Sequence, residues 1–404
     1  MKQGWEIKKL GEVYDVRDGT HDSPKYVSEG YALITSKNLK NDSLNYDNVN
    51  YITEQDYINI NKRSKVDIGD ILFAMIGTIG NPVVIKDEPD FAIKNVALFK
   101  VPKSQDSFFL KYFLDSSNVI DCMSNDAKGA TQKFVGLGYL RNFEISLPPL
   151  PEQQRIVAIL DEAFEAIARA KANAEQNLKN AKELFESYLQ GVFENGNENW
   201  ETKSLDELGT ITSSKRIYKS EYVKDGVPFY RTKEIKELSN GKSITLELFI
   251  SRKRYNEIKK SFGVPQINDL LMSAVGTIGE IMVIENSEEF YFKDGNIVWF
   301  KGFKSLDTNY LKFALTAFVE KIKGLAIGAA YSALTIEKLN KYQISFPKTI
   351  EEQQTIVQKL DALSTETKKL EAIYKQKIND LEELKKSVLQ KAFSGELKIT
   401  TALV

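Results

Sequence analysis

Apolar residues recur at alternating intervals of four and three along two long stretches of this chain. In the later stretch the positions are Ile356, Leu360, Leu363, Thr367, Leu370, Tyr374, Lys377, Leu381, Leu384 and Val388. This is the heptad spacing of a coiled-coil seam, and it predicts a long helix. Moved back by about 200 residues, the same spacing returns as Ile156, Leu160, Ala163, Ile167, Ala170, Ala174, Asn177, Ala181, Leu184 and Tyr188. The two seams are complementary in size. Ala163, Ala170, Ala174 and Ala181 stand where the other seam has Leu363, Leu370, Tyr374 and Leu381, so small faces large and the helices can approach closely. Each seam is nearly symmetric about its midpoint, which leaves orientation open. An antiparallel register about residues 172 and 372 sets Asn177 opposite Thr367, and a parallel one sets it opposite Lys377. Two equivalent domain-and-helix units relate most simply by a twofold axis, so the antiparallel pair is expected, with the globular domains at opposite ends. The alternative is that the helices join different partners in a larger bundle.

Outside the helices the pattern changes. "DILFAMIGTIGNPVVI" at 70–85 is an apolar, β-branched run broken by Gly77, Gly80 and Pro82, which predicts two strands joined by a glycine turn. It returns at 269–284 as "DLLMSAVGTIGEIMVI". The GTIG segments are expected to be turns that need positive φ. "FAIKNVALFKV" is a further strand candidate. "DSFFLKYFLDSSNVIDCM" and "DTNYLKFALTAFVEKIK" have helical spacing. "NVALFK" parallels "NIVWFK", "GATQKFVGLGYL" parallels "GAAYSALTIEKL", and "PEQQRIVAILD" at 151–161 parallels "EEQQTIVQKLD" at 351–361. Proline and glutamate in these last phrases suit the first turn of a helix. A solenoid repeat would be far shorter. The expected fold class is therefore α+β: two β-rich globular domains separated by two long helices that form an antiparallel coiled coil, with an internal pseudo-twofold repeat. The expected boundaries are 1–150, 151–196, 197–350, 351–396 and a tail at 397–404.

Composition narrows the chemistry. A chain of 404 residues suits two or more domains. The start of the chain lacks a signal-peptide pattern, and no apolar run approaches the roughly 18 residues of a membrane span, so a cytoplasmic location is expected. One cysteine (Cys122) and one histidine (His21) cannot furnish a four-ligand zinc site, and no metal or cofactor is expected. Cys122, beside Met123 in a predicted helix, is expected in the core. The formal net charge of −1 lacks the usual basic footprint of a nucleic-acid binder, although charge can be segregated onto one face. No phosphate loop, methyltransferase cofactor turn or Asn/Asp-Pro-Pro-Tyr-type loop is found. "EPDFAIK" carries Ala92 where a nuclease motif needs an acid, so it is expected to be a strand with charged flanks.

The order, duplication and punctuation of these phrases, over essentially the whole chain, resemble the specificity (S) subunits of type I restriction-modification systems. "DGTHDSPKYVSEGYALITSKNL", "GDILFAMIGTIG", "FAIKNVALFKV" and "GATQKFVGLGYLRNFEISLPPLPEQQRIVAILD" carry the resemblance. It implies two target recognition domains that each read half of a split double-stranded DNA target. It also implies helices that separate them and dock two methyltransferase (modification) subunits, with restriction subunits completing the complex and no catalysis in this chain. Departures are "EEQ" for the second "PEQ" and "GAAYS" for the second "GATQK". The physics agrees. A helix over 152–193 would span roughly 60 Å at about 1.5 Å per residue, a rigid spacer on the scale of one to two duplex turns of about 34–36 Å.

Base reading needs Arg, Lys, Asn, Gln and hydroxyl groups on polar loops. In the first domain Thr20, His21, Lys37, Asn38, Lys94 and Asn95 qualify, with Thr131, Gln132 and Lys133. In the second the aligned set is Lys215, Arg216, Arg231, Lys233, Lys293 and Asn296, with Tyr331 and Ser332. The competing functions are a bivalent protein-binding scaffold and a catalytic DNA methyltransferase with unrecognised motifs.

Overall fold

A computed structural model describes residues 4–129, 133–194, 196, 198–325 and 334–397. The chain forms two compact units. The first holds 1–175 and 376–404, and the second holds 176–375. Each unit thus takes part of the central helix, Leu150–Glu194, and part of the distal helix, Ile350–Phe393.

In the first unit a four-stranded antiparallel sheet has the order Asp15–Asp18, Val96–Lys100, Ile71–Ala74, Gly80–Val84. Ile71, Leu72, Phe73 and Ala74 are all 0% exposed, so this strand is covered on both faces and reads as a continuous apolar run. The GTIG turn follows it, with Gly77 and Gly80 at φ 78° and 121°. A second sheet pairs Tyr31–Ile34 antiparallel with Asn50–Ile52 and parallel with Phe91–Ile93. Glu6–Lys9 pairs with Glu144–Leu147, closing the beginning of the domain onto its end.

The second unit repeats this plan. Its four-stranded sheet runs Thr210–Thr212, Ile297–Lys301, Leu270–Ser273, Ile281–Val283. Val227–Tyr230 pairs antiparallel with Phe249–Ile250 and parallel with Tyr291–Phe292, and Glu201–Ser204 closes onto Gln343–Phe346. The crowding at one glycine is also duplicated. A Cβ on Gly30 would lie 2.3 Å from the Ile52 carbonyl oxygen, and one on Gly226 would lie 2.3 Å from that of Ile250. Gly226→Ala is therefore expected to push the neighbouring strand away and destabilise the second unit by about 2 kcal/mol. The denaturant midpoint of the purified chain checks this, and an unchanged midpoint refutes it.

Three expectations need correction. The first concerns Cys122, which is exposed, while Val119 and Met123 form the buried face of its helix, Ser117–Asp126. The second is a refinement: "DSFFLKYFLDSSNVIDCM" is helical as its spacing predicts, but as two helices, Ser107–Asp115 and Ser117–Asp126, whereas its counterpart is one helix, Thr308–Leu325. Ser116 sits at the break with extended backbone, and its hydroxyl donates to the Phe113 carbonyl, a local bond that competes with helix propagation.

The third correction concerns the seam. Within the first unit Ile156, Val157 and Leu160 share a core with Leu389 and Ala392, and within the second Leu189 shares one with Val357 and Leu360. The start of each long helix therefore meets the end of the other, and the pair is antiparallel. The register is not centred on 172 and 372: the Lys385 ammonium lies over the Phe164 ring, and Lys171 pairs with Glu382. Leu184, Leu370 and Leu384 are 62%, 41% and 47% exposed, off the buried face. Phe185 and Leu189 take over from Leu184 and Tyr188. A straight helix turns every 3.6 residues and drifts by about 20° per heptad against a 3.5 repeat, so the buried stripe slides one position along. Among the other seam residues, Ala174 and Ala181 are buried, and Ala163, Ala170, Leu363, Tyr374, Leu381 and Ile356 are half-buried.

Candidate nucleic-acid interface

The first unit gathers residues from three distant stretches at one edge. The chain leaving Asp15–Asp18 bonds to the turn between the strands Phe91–Ile93 and Val96–Lys100. The Thr20 amide donates to Ile93 O at 3.0 Å and the Asn95 amide to Thr20 O at 3.1 Å. The Lys94 amide donates to Ile34 O at 2.8 Å, tying in the third stretch. Asn95 adopts φ 55°, a conformation that asparagine tolerates better than most residues. This brings Thr20, His21, Lys94 and Asn95 together and sets them beside Lys37 and Asn38. A cleft of about 460 Å³ is lined by Tyr26, Thr35, Lys37, Asn48, Lys94 and Asn95, among others. An adjoining cleft of about 340 Å³ is lined by Thr20, Ser23, Asn59 and Arg63.

These side chains are not equally free. Asn38 is buried, its Oδ1 accepts from the Thr35 amide and hydroxyl at 2.9 Å, and its Nδ2 donates to Asn45 O at 2.9 Å. Its amide is spent on the local turn. Lys94 is only 9% exposed and donates to the Ser23 hydroxyl. Lys37 is exposed. His21 lies between two oxygens, with Nε2 2.8 Å from Asp18 Oδ2 and Nδ1 2.9 Å from Asn95 Oδ1. Asp18 is 4% exposed and also takes an ion pair from Arg63. The bond to Asn95, and after it the bond to Asp18 and the Asp18 charge, raise the His21 pKa above its ordinary value, and burial and the Arg63 charge oppose them. Lys133 is exposed beside Phe134, which exchanges backbone bonds with Lys128. Its carbonyl accepts from Gly77, so the GTIG turn holds Lys133 in place. Thr131 and Gln132 lie outside the described residues.

In the second unit Lys293 repeats the backbone bond of Lys94, donating to Tyr230 O at 2.9 Å. Arg216 is exposed and its Nε donates to Asp294 Oδ2 at 2.8 Å. The Lys215 ammonium lies 4.7 Å from the centre of the Phe262 ring. Asn296 is half-buried and its carbonyl accepts from the Ala274 amide. Arg231 and Lys233 converge on one carboxylate: Arg231 Nη2 is 2.7 Å and Lys233 Nζ 2.9 Å from Glu247. Lys233 and then Arg231 hold the Glu247 pKa down at about 2. Arg231 also bonds Glu234 at 2.6 Å, so much of the charge of this pair is met locally. Tyr331 and Ser332 lie outside the described residues.

Sequence reasoning missed Asp18, Arg63 and Asp294, for which spacing offers no signal because their partners are remote in the chain. It also missed the reason that "EQQ" occurs twice. Gln153 and Gln353 are both 0% exposed. Gln153 Oε1 accepts from the Asp106 amide at 3.0 Å, and its Nε2 donates to Pro148 O and Gln105 Oε1 at 2.8 and 2.7 Å. Gln353 accepts from the Asp307 amide at 2.7 Å and donates to Pro347 O and Ser305 O at 2.9 and 3.0 Å. In each unit this amide locks the first turn of a long helix to the loop that starts the domain's own helix. The duplicated word was the available clue.

Among the described residues no group of His, Cys, Asp and Glu is placed to hold a metal ion, and no helix is long and apolar enough to cross a membrane.

Comparisons with known proteins agree with this duplicated plan. The chain is 22% identical over 421 residues to the type I restriction enzyme MjaVIII specificity subunit of Methanocaldococcus jannaschii, covering 99% of this chain and 94% of that one. It shares its fold with the HsdS subunit from Thermoanaerobacter tengcongensis, at TM-score 0.62 and 20% identity over 98% of both chains. A chain from a study of assembly and conformational transition in the type I R-M system matches at TM-score 0.76 and 20% identity, over 98% of this chain and 99% of that one. The family model of the type I restriction modification DNA specificity domain matches twice, over residues 2–180 and 197–383, each match taking in one of the two β-rich repeats and much of the long helix that follows it. With the repeat, the helix pair and the family model in agreement, this chain belongs to the type I restriction-modification DNA specificity family.

Proposed function

We propose that the chain is the sequence-reading subunit of a type I restriction-modification complex and performs no chemistry itself. Residues 1–150 and 197–350 are two target recognition domains, each reading one block of a bipartite double-stranded target. The helical segments 151–196 and 351–396 hold them and dock two methyltransferase subunits, restriction subunits join that core, and 397–404 is a tail. The complex works in the cytoplasm. The observation that carries this reading is that one backbone frame occurs twice with different polar side chains at matching edge positions: Thr20 and Thr35 in one, Lys215 and Arg231 in the other. A shared frame with changed edge residues is what two readers of different base sequences require. The near-neutral chain charge is consistent with partners that supply part of the phosphate clamp.

The test is methylation. The purified chain with S-adenosylmethionine is expected to leave any DNA unmodified. Together with the methyltransferase subunit it is expected to direct methylation to one sequence of two defined blocks separated by bases of any identity. Methyl transfer by the partner-free chain, or a continuous target, would sink this reading.

A further inference from the structure

The two repeats can be aligned by strand register. Arg17 pairs with Leu98 in the first sheet, and Thr212 pairs with Trp299 in the second. Leu98 and Trp299 are the third residues of matching strands, so Arg17 matches Thr212. Continuing along the chain, Asp18 matches Ser213, Thr20 matches Lys215, and His21 matches Arg216. His21 and Arg216 share three properties. Each side chain is more than half exposed, at 58% and 66%. Each is braced by a carboxylate at 2.8 Å that is mostly hidden from water, Asp18 or Asp294. Each stands where the chain leaves the first strand of the four-stranded sheet for the polar edge.

The brace itself has not been kept in place. Asp18 lies on the strand, and at its position the second repeat has Ser213, whose hydroxyl is spent on Ile297 O. Asp294 lies in the turn after Tyr291–Phe292, and the corresponding turn in the first repeat holds only Lys94 and Asn95. Two different carboxylates thus fix a basic side chain at one matching exposed position. A braced, exposed cation suits a phosphate contact because the brace fixes where its charge sits. The imidazolium spends both N–H groups on Asp18 and Asn95 and acts on a phosphate through its charge, whereas the guanidinium has N–H groups beyond the Nε that meets Asp294.

The two side chains differ in one respect. Guanidinium is charged at every accessible pH, and imidazole is not. Both His21 nitrogens face oxygen atoms, Asp18 Oδ2 and Asn95 Oδ1, and only the doubly protonated ring donates to both. The charged groups acting on the ring are Asp18 from its strand, which favours the cation, and Arg63 from the helix Glu54–Ser64, which opposes it.

We propose that this position is a DNA-phosphate contact in both repeats, made by a permanent cation in the second and a titratable one in the first, so that of these two contacts only the first couples DNA binding to proton uptake. The proposal rests on the DNA-reading function above and deepens it. The contact is present below the raised His21 pKa and is lost as pH rises through it, so affinity for the first block falls with pH.

Two measurements test this. His21 is the sole histidine of the chain, so the ring signals of the untagged full-length protein give its titration by NMR without assignment. A midpoint above about 6.5 is expected, falling in Asp18→Asn; a midpoint at or below that value overturns the proposal. The second measurement uses the chain with its methyltransferase subunits and a duplex carrying the site mapped by methylation sequencing. The slope of log affinity against log salt is expected to be steeper by about 0.9 at pH 6 than at pH 8.5, one phosphate contact's worth. His21→Arg should be steep at both pH values and His21→Gln shallow at both. Arg216→Gln should lower the slope equally at both and keep the wild-type pH dependence. Wild-type pH dependence persisting in His21→Arg or His21→Gln overturns the proposal while leaving the DNA reading intact. Absence of DNA binding at either pH overturns both, and the NMR titration then still reports the brace.

Discussion

Gln153→Leu is expected to destabilise the first unit by about 3 kcal/mol, and Gln353→Leu to do the same to the second, because each strands several partners at once. The leucine fills nearly the same space but leaves the Pro148 carbonyl and the Asp106 amide without their bonds. Asp106 is a double anchor: its amide holds Gln153 while its carboxylate accepts from the Phe109 amide at 3.0 Å to cap Ser107–Asp115. Losing one bond therefore loosens both the long-helix start and the domain helix. Hydrogen exchange should show the loss at 102–115 for Gln153→Leu and at 303–320 for Gln353→Leu, each in its own unit. Gln153→Glu sharpens the test. A glutamate keeps the acceptor but turns a charged oxygen toward the Pro148 carbonyl and Gln105 Oε1, so burial and these acceptors raise its folded-state pKa. A raised carboxyl pKa means the penalty is present above that pKa and relieved as pH falls, since the protonated acid can donate. Gln153→Glu should be less destabilised at pH 5 than at pH 7.5. A loss in either leucine variant below about 1 kcal/mol would show that the repeated glutamine is not a clamp.

Replacing residues 197–350 with the matching segment of another such subunit should change one block of the DNA target and leave the other block untouched. The cuts suit the fold. Glu201–Ser204 pairs with Gln343–Phe346, so the transplanted segment carries both strands of its own closure, and Ile350 begins the distal helix. The apolar clusters around Ile250 and around Trp299 are built from residues of this segment. Among the described residues, the cluster that includes Leu189, Val357 and Leu360 reaches onto the retained helices, and the graft must preserve apolar partners there. Methylation sequencing of cells carrying the graft and the methyltransferase gene reads both blocks directly. A change in both blocks, or in neither, would show that reading is not divided between the repeats.

Much of this architecture is written in local patterns. The repeat, both long helices and the strand pair around each GTIG turn are legible because hydrophobic period and glycine placement act within a few residues. Tertiary structure decided what depends on residues far apart. The buried stripe passes beside Leu184, Leu370 and Leu384, because a turn of 3.6 residues drifts against a strict repeat of seven. Cys122 faces solvent because its helix turns Val119 and Met123 inward. At the candidate interface the residue types were visible but their freedom was not: Asn38 is spent on a turn and Arg231 on Glu234 and Glu247, while His21 gains its brace from Asp18 and Asn95. Sequence determined which side chains were available along each edge. Only folding decided which stay exposed to meet DNA, because the carboxylates that the chain brings within reach enclose some cations, as two do at Arg231, and brace others at one side, as one does at Arg216, and the sequence pattern does not record that meeting.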